Sequence, residues 1–206
     1  LAGGGHRFEA VEPREAGRWA DVVVLALPHG HSQKVLEAVE SGGPGLVIDT
    51  AADFRLADRA RAESVYGPHA RPDALGSFAC GLADVEGAAL AGRRRIAVPG
   101  CFATAALLAL WAIAGVLDGD SDPVCFALTG SSGAGAAPRP TTHHPARANN
   151  LFAYAISGHR HQAELVERLR AWRGEAAPAC RLLTHSAPLV RGIHLTLRAR
   201  TSGAAG

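Results

Sequence analysis

Hydrophobic positions along this chain follow two patterns. Asp21-Val22-Val23-Val24-Leu25-Ala26-Leu27 and Leu46-Val47-Ile48-Asp49 are short, unbroken apolar runs, as expected of parallel strands covered on both faces. Pro28-His29-Gly30 ends the first run, residues 31–40 alternate at helical spacing, and Gly42-Gly43-Pro44 stops them. Strand, helix and strand within about thirty residues predict a right-handed parallel crossover. Ligands of such sheets sit beyond the carboxyl ends of the strands, here at Leu27-Pro28-His29-Gly30 and Ala51-Ala52-Asp53-Phe54-Arg55. Residues 58–66 read as a helix. Residues 67–92, broken by Pro68, Pro72, Gly76, Gly81 and Gly87, read as a turn-rich wrap over the surface. Ile96-Ala97-Val98 is another buried strand, and Pro99-Gly100 turns sharply from it into an Ala/Leu-rich helix from Ala103 to Gly115. A turn at 118–123, a strand at 124–129, and a loop from Gly130 that stays irregular to Asn150 follow. His161 to Trp172 is an amphipathic helix with Leu165, Val166 and Leu169 on one face, and residues 181–183 read as a strand. From Ile193 to Arg200 apolar and polar residues alternate, as in a half-exposed antiparallel strand. Residues 1–20 give no firm prediction. The change from unbroken runs to alternation puts a domain boundary near residue 100 in an α/β chain.

Composition narrows the picture. The chain has 206 residues, 48% of them hydrophobic, and a net charge of +2, which describes a globular protein with an ample core. Arg93-Arg94-Arg95 is a lone basic triplet, read as a solvated turn, so no nucleic-acid partner is expected. The Ala103–Gly115 run is shorter than the roughly 20 residues a membrane span needs, so no membrane partner is expected either. Cys80, Cys101, Cys125 and Cys180 are scattered without a Cys-x-x-Cys pair. This argues against a zinc ribbon or disulfide framework, and for a reducing, cytoplasmic setting. The chain has no Met and opens on Leu1-Ala2-Gly3-Gly4-Gly5, so it is expected to be part of a longer polypeptide.

Candidate chemistry centres on Cys101, where a strand breaks into a helix. The free backbone N–H groups and the positive dipole end there favour a thiolate. A dipole contribution of roughly 2 kcal/mol would lower a thiol pKa from about 8.5 to about 7. The alternative reading is a structural Cys in a tight turn. The loop Thr129-Gly130-Ser131-Ser132-Gly133-Ala134-Gly135 follows a strand, and its small residues let backbone N–H groups approach a flat or anionic ligand. His143-His144 and Gly158-His159-Arg160-His161 form a titratable cluster open to three readings: surface residues, a metal site, or acid/base and anion-binding duty with one imidazole paired to Cys101. No acidic or Cys ligand falls at a usual metal spacing, so no metal is expected. His159, flanked by glycine before a helix, is the imidazole best presented to a cleft. Arg55 and Arg191 each suit either a bidentate anion contact or a surface salt bridge.

Together these pieces resemble a known family. Ala26-Leu27-Pro28-His29-Gly30, the stretch Ile48 to Leu56, Pro99-Gly100-Cys101-Phe102-Ala103-Thr104-Ala105, Ser132-Gly133-Ala134-Gly135, Gly158-His159-Arg160-His161 and Val190-Arg191-Gly192 occur in the order found in the N-acetyl-γ-glutamyl-phosphate reductases, relatives of the aspartate-semialdehyde dehydrogenases. The resemblance implies a partial Rossmann-type dinucleotide-binding domain over residues 1–99 and a mixed α+β catalytic and oligomerisation domain over residues 100–206, in a homo-oligomer. It implies NADPH-dependent reduction of an acyl phosphate to an aldehyde in arginine biosynthesis, through a thioester on Cys101 with His159 as acid/base. Leu27, Pro28, His29, Gly30, Ser132, Gly133 and Gly135 would bind NADP(H), and Arg55, His143, His161 and Arg191 the substrate. The family's N-terminal Gly-rich turn and its segment after the last strand have no counterpart here, so the chain alone is expected to be inactive. Ala136 and Phe152 stand where the family often has basic residues, which shifts the substrate-anion contact toward Arg139 or Arg147. His143-His144-Pro145-Ala146-Arg147 and the stretch Tyr66 to Pro72 also resemble a sibling branch that reduces aminoadipyl phosphate on a small carrier protein in lysine biosynthesis. Further rivals are a Cys–His hydrolase or acyltransferase, and an inactive fragment that only oligomerises.

Overall fold

A computed structural model describes residues 8–174 and 177–203 of the chain; the Gly-rich residues 1–7 of the unassigned N-terminal stretch lie outside the described residues. The first half is a parallel sheet with helices: α1 (Pro13–Trp19), β1 (Val22–Leu25), α2 (Ser32–Glu40), β2 (Leu46–Asp49), α3 (Arg59–Tyr66), β3 (Ala79–Cys80), α4 (Ala83–Leu90) and β4 (Arg95–Ala97). Its strand order is β1-β2-β4-β3, every pair parallel. Leu25, Leu36, Val39, Val47, Phe54, Ala74 and Ala97 form its core. The unbroken apolar run of β1 predicts burial on both faces, yet Val22 is 47% and Val24 55% exposed. The reason is position: β1 is an edge strand, and only the face carrying Val23 and Leu25 packs into the core with Leu36 and Val39 of α2.

The second half holds α5 (Cys101–Ile113), β5 (Val124–Thr129), α6 (His144–Arg147), β6 (Phe152–Tyr154), α7 (His161–Arg173), β7 (Arg181–Ser186) and β8 (Ile193–Arg198). Its sheet runs β6-β7-β5-β8, with β5 parallel to β7, and with β8 and β6 antiparallel to their neighbours. Helices α5 and α7 bury Phe102, Ala106, Leu107, Leu110, Leu165 and Leu169 against Cys125, Ala127 and Leu182. The alternation read in β8 holds: Ile193, Leu195 and Leu197 pack toward this core while His194, Thr196 and Arg198 are exposed.

Most predicted elements are present with shifts of one or two residues, and five were missed. Helix α1 lies in the stretch without a prediction, and β3 and α4 lie inside the supposed surface wrap. Gly81 precedes α4 and Gly87 lies inside it, the helix has little amphipathic contrast, and β3 is only two residues long. The single turn of α6 interrupts the loop expected to continue to Asn150, and strand β6 follows just after it, where no element was predicted.

Candidate active site

The turn between β4 and α5 is tied down on every side. The Val98 N–H donates to the Asp49 carbonyl (2.8 Å), and the Val98 carbonyl accepts from Arg55 Nε (2.8 Å). Pro99 has no N–H to place. The Gly100 N–H donates to Glu164 Oε2 at 2.9 Å. Helix α5 then begins at Cys101, with Gly100 as its N-cap in extended conformation and the Thr104 N–H donating back to the Gly100 carbonyl. No side chain caps this end, so the first-turn N–H groups keep the donor character of a free helix start. Cys101 is exposed and a free thiol. The absence of a side chain at Gly100 accommodates a protein group: a Cβ there would sit 2.3 Å from Nε2 of the buried His161.

Cys101 opens into a cavity of about 530 Å³ whose wall also carries Phe102, Tyr154, His159, Arg160 and His161. His159 stands edge-on to Phe102 with ring centroids 5.2 Å apart. Its Nδ1 accepts the His161 backbone N–H at 3.2 Å, so the neutral ring carries its proton on Nε2. Burial first, then the Arg160 charge, holds the His159 pKa down to about 4. Burial and the neighbouring His159 push His161 down to about 3, so His161, 4.0 Å from Glu164 Oε1, is uncharged near neutrality. The arrangement offers an exposed sulfur, uncommitted helix-start N–H groups and a neutral imidazole N–H on one cavity: the parts of an acyl-transfer site.

Comparison with known proteins places the chain. Residues 101–205 match the family described as semialdehyde dehydrogenase, dimerisation domain, which covers half of the chain. The chain belongs to the semialdehyde dehydrogenase family. It is similar to the [LysW]-L-2-aminoadipate 6-phosphate reductase of Deinococcus radiodurans, 40% identical over 87% of this chain and 51% of that protein. It is also similar to the N-acetyl-gamma-glutamyl-phosphate reductase of Wolinella succinogenes, 36% identical over 93% of this chain and 56% of that protein. The chain thus spans about half the length of the curated relatives it matches. The resemblance read from the motifs therefore holds. Among solved structures it shares its fold with aspartate semialdehyde dehydrogenase II from Vibrio cholerae, with a TM-score of 0.63 at 15% identity over 87% of this chain and 55% of that one.

In this member of the semialdehyde dehydrogenase family, the structure distributes the remaining predicted residues unevenly. His161 and Gly133 line the cavity. Arg55 does not. Its guanidinium donates to Val98 O, Thr50 O (2.9 Å) and Glu164 Oε1 (3.4 Å), and not to Asp53 or Asp58. Exposed His143 borders a separate surface hollow with Pro138 and His144, and Arg191 is exposed and absent from the cavity wall. Arg147 is on the wall, but its donors go to Ser186 Oγ, Ala187 O and Leu189 O. The N–H groups of Gly130, Ser131 and Ser132 donate to the carbonyls of Gly192, Leu189 and Val190 instead of facing a ligand. Gly130 is needed for that seam, since a Cβ there would meet Val190 and Arg191 backbone at 2.7–2.8 Å. Beyond β1, the Gly30 N–H (2.7 Å) and Gln33 N–H (3.0 Å) are held by the Asp53 carboxylate, which also lies 2.7 Å from His29 Nδ1. Two residues that sequence reasoning passed over are central: Glu164, read as part of a solvated helix face, and Arg160, read only as the middle of a His-Arg-His string. Among the described residues no group of three or more His, Cys, Asp or Glu could hold a metal, and no helix is long and apolar enough to cross a membrane.

The two depressed imidazoles give a pH dependence of folding. In the unfolded chain both would titrate near 6.5, so between that value and about 4 the unfolded state binds more protons than the folded one. Stability from this source is complete above about pH 6.5 and is lost as the pH falls, the His159 share by about 4 and the His161 share by about 3. Urea unfolding at about pH 7.5 and about pH 5 should show a lower midpoint in acid, and His159→Asn should narrow the difference. Equal midpoints in the parent protein would contradict the assignment.

Proposed function

We propose that this protein is an NADPH-dependent acyl-phosphate reductase acting on N-acetyl-γ-glutamyl phosphate in arginine biosynthesis, and that this chain carries its acyl-transfer chemistry. The observation that supports it most directly is the exposed Cys101 thiol at the start of α5, sharing one cavity with His159. The thiolate attacks the acyl carbon, the bond from that carbon to the phosphate oxygen breaks, and phosphate leaves with the electron pair. A thioester on Cys101 remains. As the carbonyl oxygen gains charge, the first-turn N–H groups of α5 and the Nε2–H of His159 donate to it. The neutral imidazole acts here as a hydrogen-bond donor to the developing oxyanion. Among the described residues, Arg139 and Arg160 reach the cavity wall without a hydrogen bond or carboxylate partner for their guanidiniums. They are the cations available for the phosphate and carboxylate of such a substrate.

When bound, a nicotinamide dinucleotide supplies the hydride that turns the thioester into an aldehyde. The N–H groups of Gly30, Gln33 and residues 130–132 are already engaged within the chain, so its diphosphate would draw on other donors. In this reading residues 1–99 are part of a dinucleotide-binding domain and residues 100–206 the catalytic and oligomerisation domain. A second copy of the chain is the proposed partner, in keeping with the family description and with Phe126 on the outer face of the mixed sheet, 40% exposed. Four free thiols suit a reducing, cytoplasmic setting.

The test runs the reaction backwards. The full-length protein with N-acetylglutamate semialdehyde should reduce NADP⁺ only when phosphate is present, and loss of that requirement would favour a Cys–His hydrolase or acyltransferase. The similarity to the Deinococcus enzyme supports a second reading, an aminoadipyl substrate on a carrier. Activity confined to the carrier-bound aldehyde would select it.

A further inference from the structure

We infer that Glu164 is a positioning residue for the nucleophile: its buried carboxylate sets where the Cys101 sulfur stands by gripping the peptide just before it. The inference rests on Cys101 being the nucleophile, and it concerns a residue that never reaches the cavity wall. Helix α7 presents His161 and Glu164 three residues apart, on one face. That face meets the β4–α5 turn. The His161 ring fills the space over the Gly100 Cα, while Glu164 Oε2 accepts the Gly100 N–H at 2.9 Å. The other oxygen, Oε1, lies 3.4 Å from Arg55 Nη1. Arg55 in turn holds the Val98 carbonyl through Nε and the Thr50 carbonyl through Nη2. One carboxylate and one guanidinium thus hold Val98 and Gly100, the residues flanking Pro99, and fix that turn to both α7 and the loop after β2. The clamp is enclosed, with the Glu164 side chain 5% and the Arg55 side chain 11% exposed. Removing one partner would leave the other buried and uncompensated.

The same carboxylate opposes what it positions. A negative group on the N–H preceding α5 offsets part of the attraction that the helix start exerts on a thiolate. Loss of the carboxylate should therefore have two opposite effects. In the full-length protein, Glu164→Ala should lower kcat about 10-fold or more with little change in KM, because the sulfur is no longer held in its attacking position. Alkylation of Cys101 by iodoacetamide near neutral pH should become about 2- to 5-fold faster, because the opposing charge is gone. Partial unfolding would also lower the apparent kcat at constant KM and speed alkylation, so rates are referred to the folded fraction from a thermal melt, and the buried Cys125 and Cys180 should stay slow to alkylate if the fold is intact. Glu164→Gln keeps an oxygen for the Gly100 N–H and should recover most of kcat while leaving alkylation fast; it also serves where the Ala variant fails to fold. A Gln variant with kcat as low as Ala, or an Ala variant with unchanged kcat or slower alkylation, would overturn the inference. If the parent protein shows no phosphate-dependent turnover, the function proposed above fails, while the alkylation comparison still decides the role of Glu164.

Discussion

Replacing Cys101 with Ser should lower kcat by about 10³-fold or more while leaving the fold intact. A serine hydroxyl at the same helix start keeps the hydrogen bonds but is a far weaker nucleophile near neutral pH, and single removals of a covalent nucleophile cost on that scale. The fold should be indifferent because Cys101 is exposed at the first position of α5 and contributes nothing to the core around Phe102, Ala106 and Leu110. Steady-state rates together with a thermal melt check both halves. An unchanged melt with near-parental kcat would remove Cys101 from the mechanism, and a collapsed melt would give it a structural role.

Gly100→Ala should be the most damaging small substitution near the site. The added methyl would lie 2.3–2.6 Å from three atoms of the His161 ring, and that ring is buried. Forcing an atom into packed space costs about 1–3 kcal/mol, a loss of several degrees in Tm for a chain of this size. Whatever relief the structure finds must move α7 or the turn that carries Cys101, so kcat should fall as well. His161→Ala in the same background should recover part of the stability, and the double-mutant cycle should be non-additive by about 1 kcal/mol. Additivity would mean that the two positions do not meet as described.

Legibility differed sharply between scaffold and site. Strands β2 and β5 fall on the residues that periodicity predicts, because their apolar runs are bounded by Gly, Pro or Asp. Cys101 was legible because a strand, a Pro-Gly turn and an Ala-rich helix are local signals. His161 was singled out by its motif neighbours, although its position over Gly100 was not foreseeable from them. Glu164 was hidden for a physical reason. On α7 it follows the polar pattern of a solvated face, and only the approach of a turn more than sixty positions earlier in the chain makes that face an inside one. Arg55 shows the opposite case. An arginine after a strand looks poised for a ligand, but its donors were claimed by carbonyls at Thr50 and Val98 that carry no sequence signature. The engagement of residues 130–132 escaped for the same reason, since main-chain partners leave no trace in residue identity.

That seam of main chain has a consequence of its own. Leu189 and Val190 lend only their carbonyls to the glycine-rich loop, while their side chains are 49% and 71% exposed. What matters along this strip is therefore the path of the backbone and not its chemistry. Exchanging either side chain for another of ordinary shape should pass almost unnoticed, whereas inserting or deleting a single residue would misalign three bonds at once and loosen one wall of the chamber.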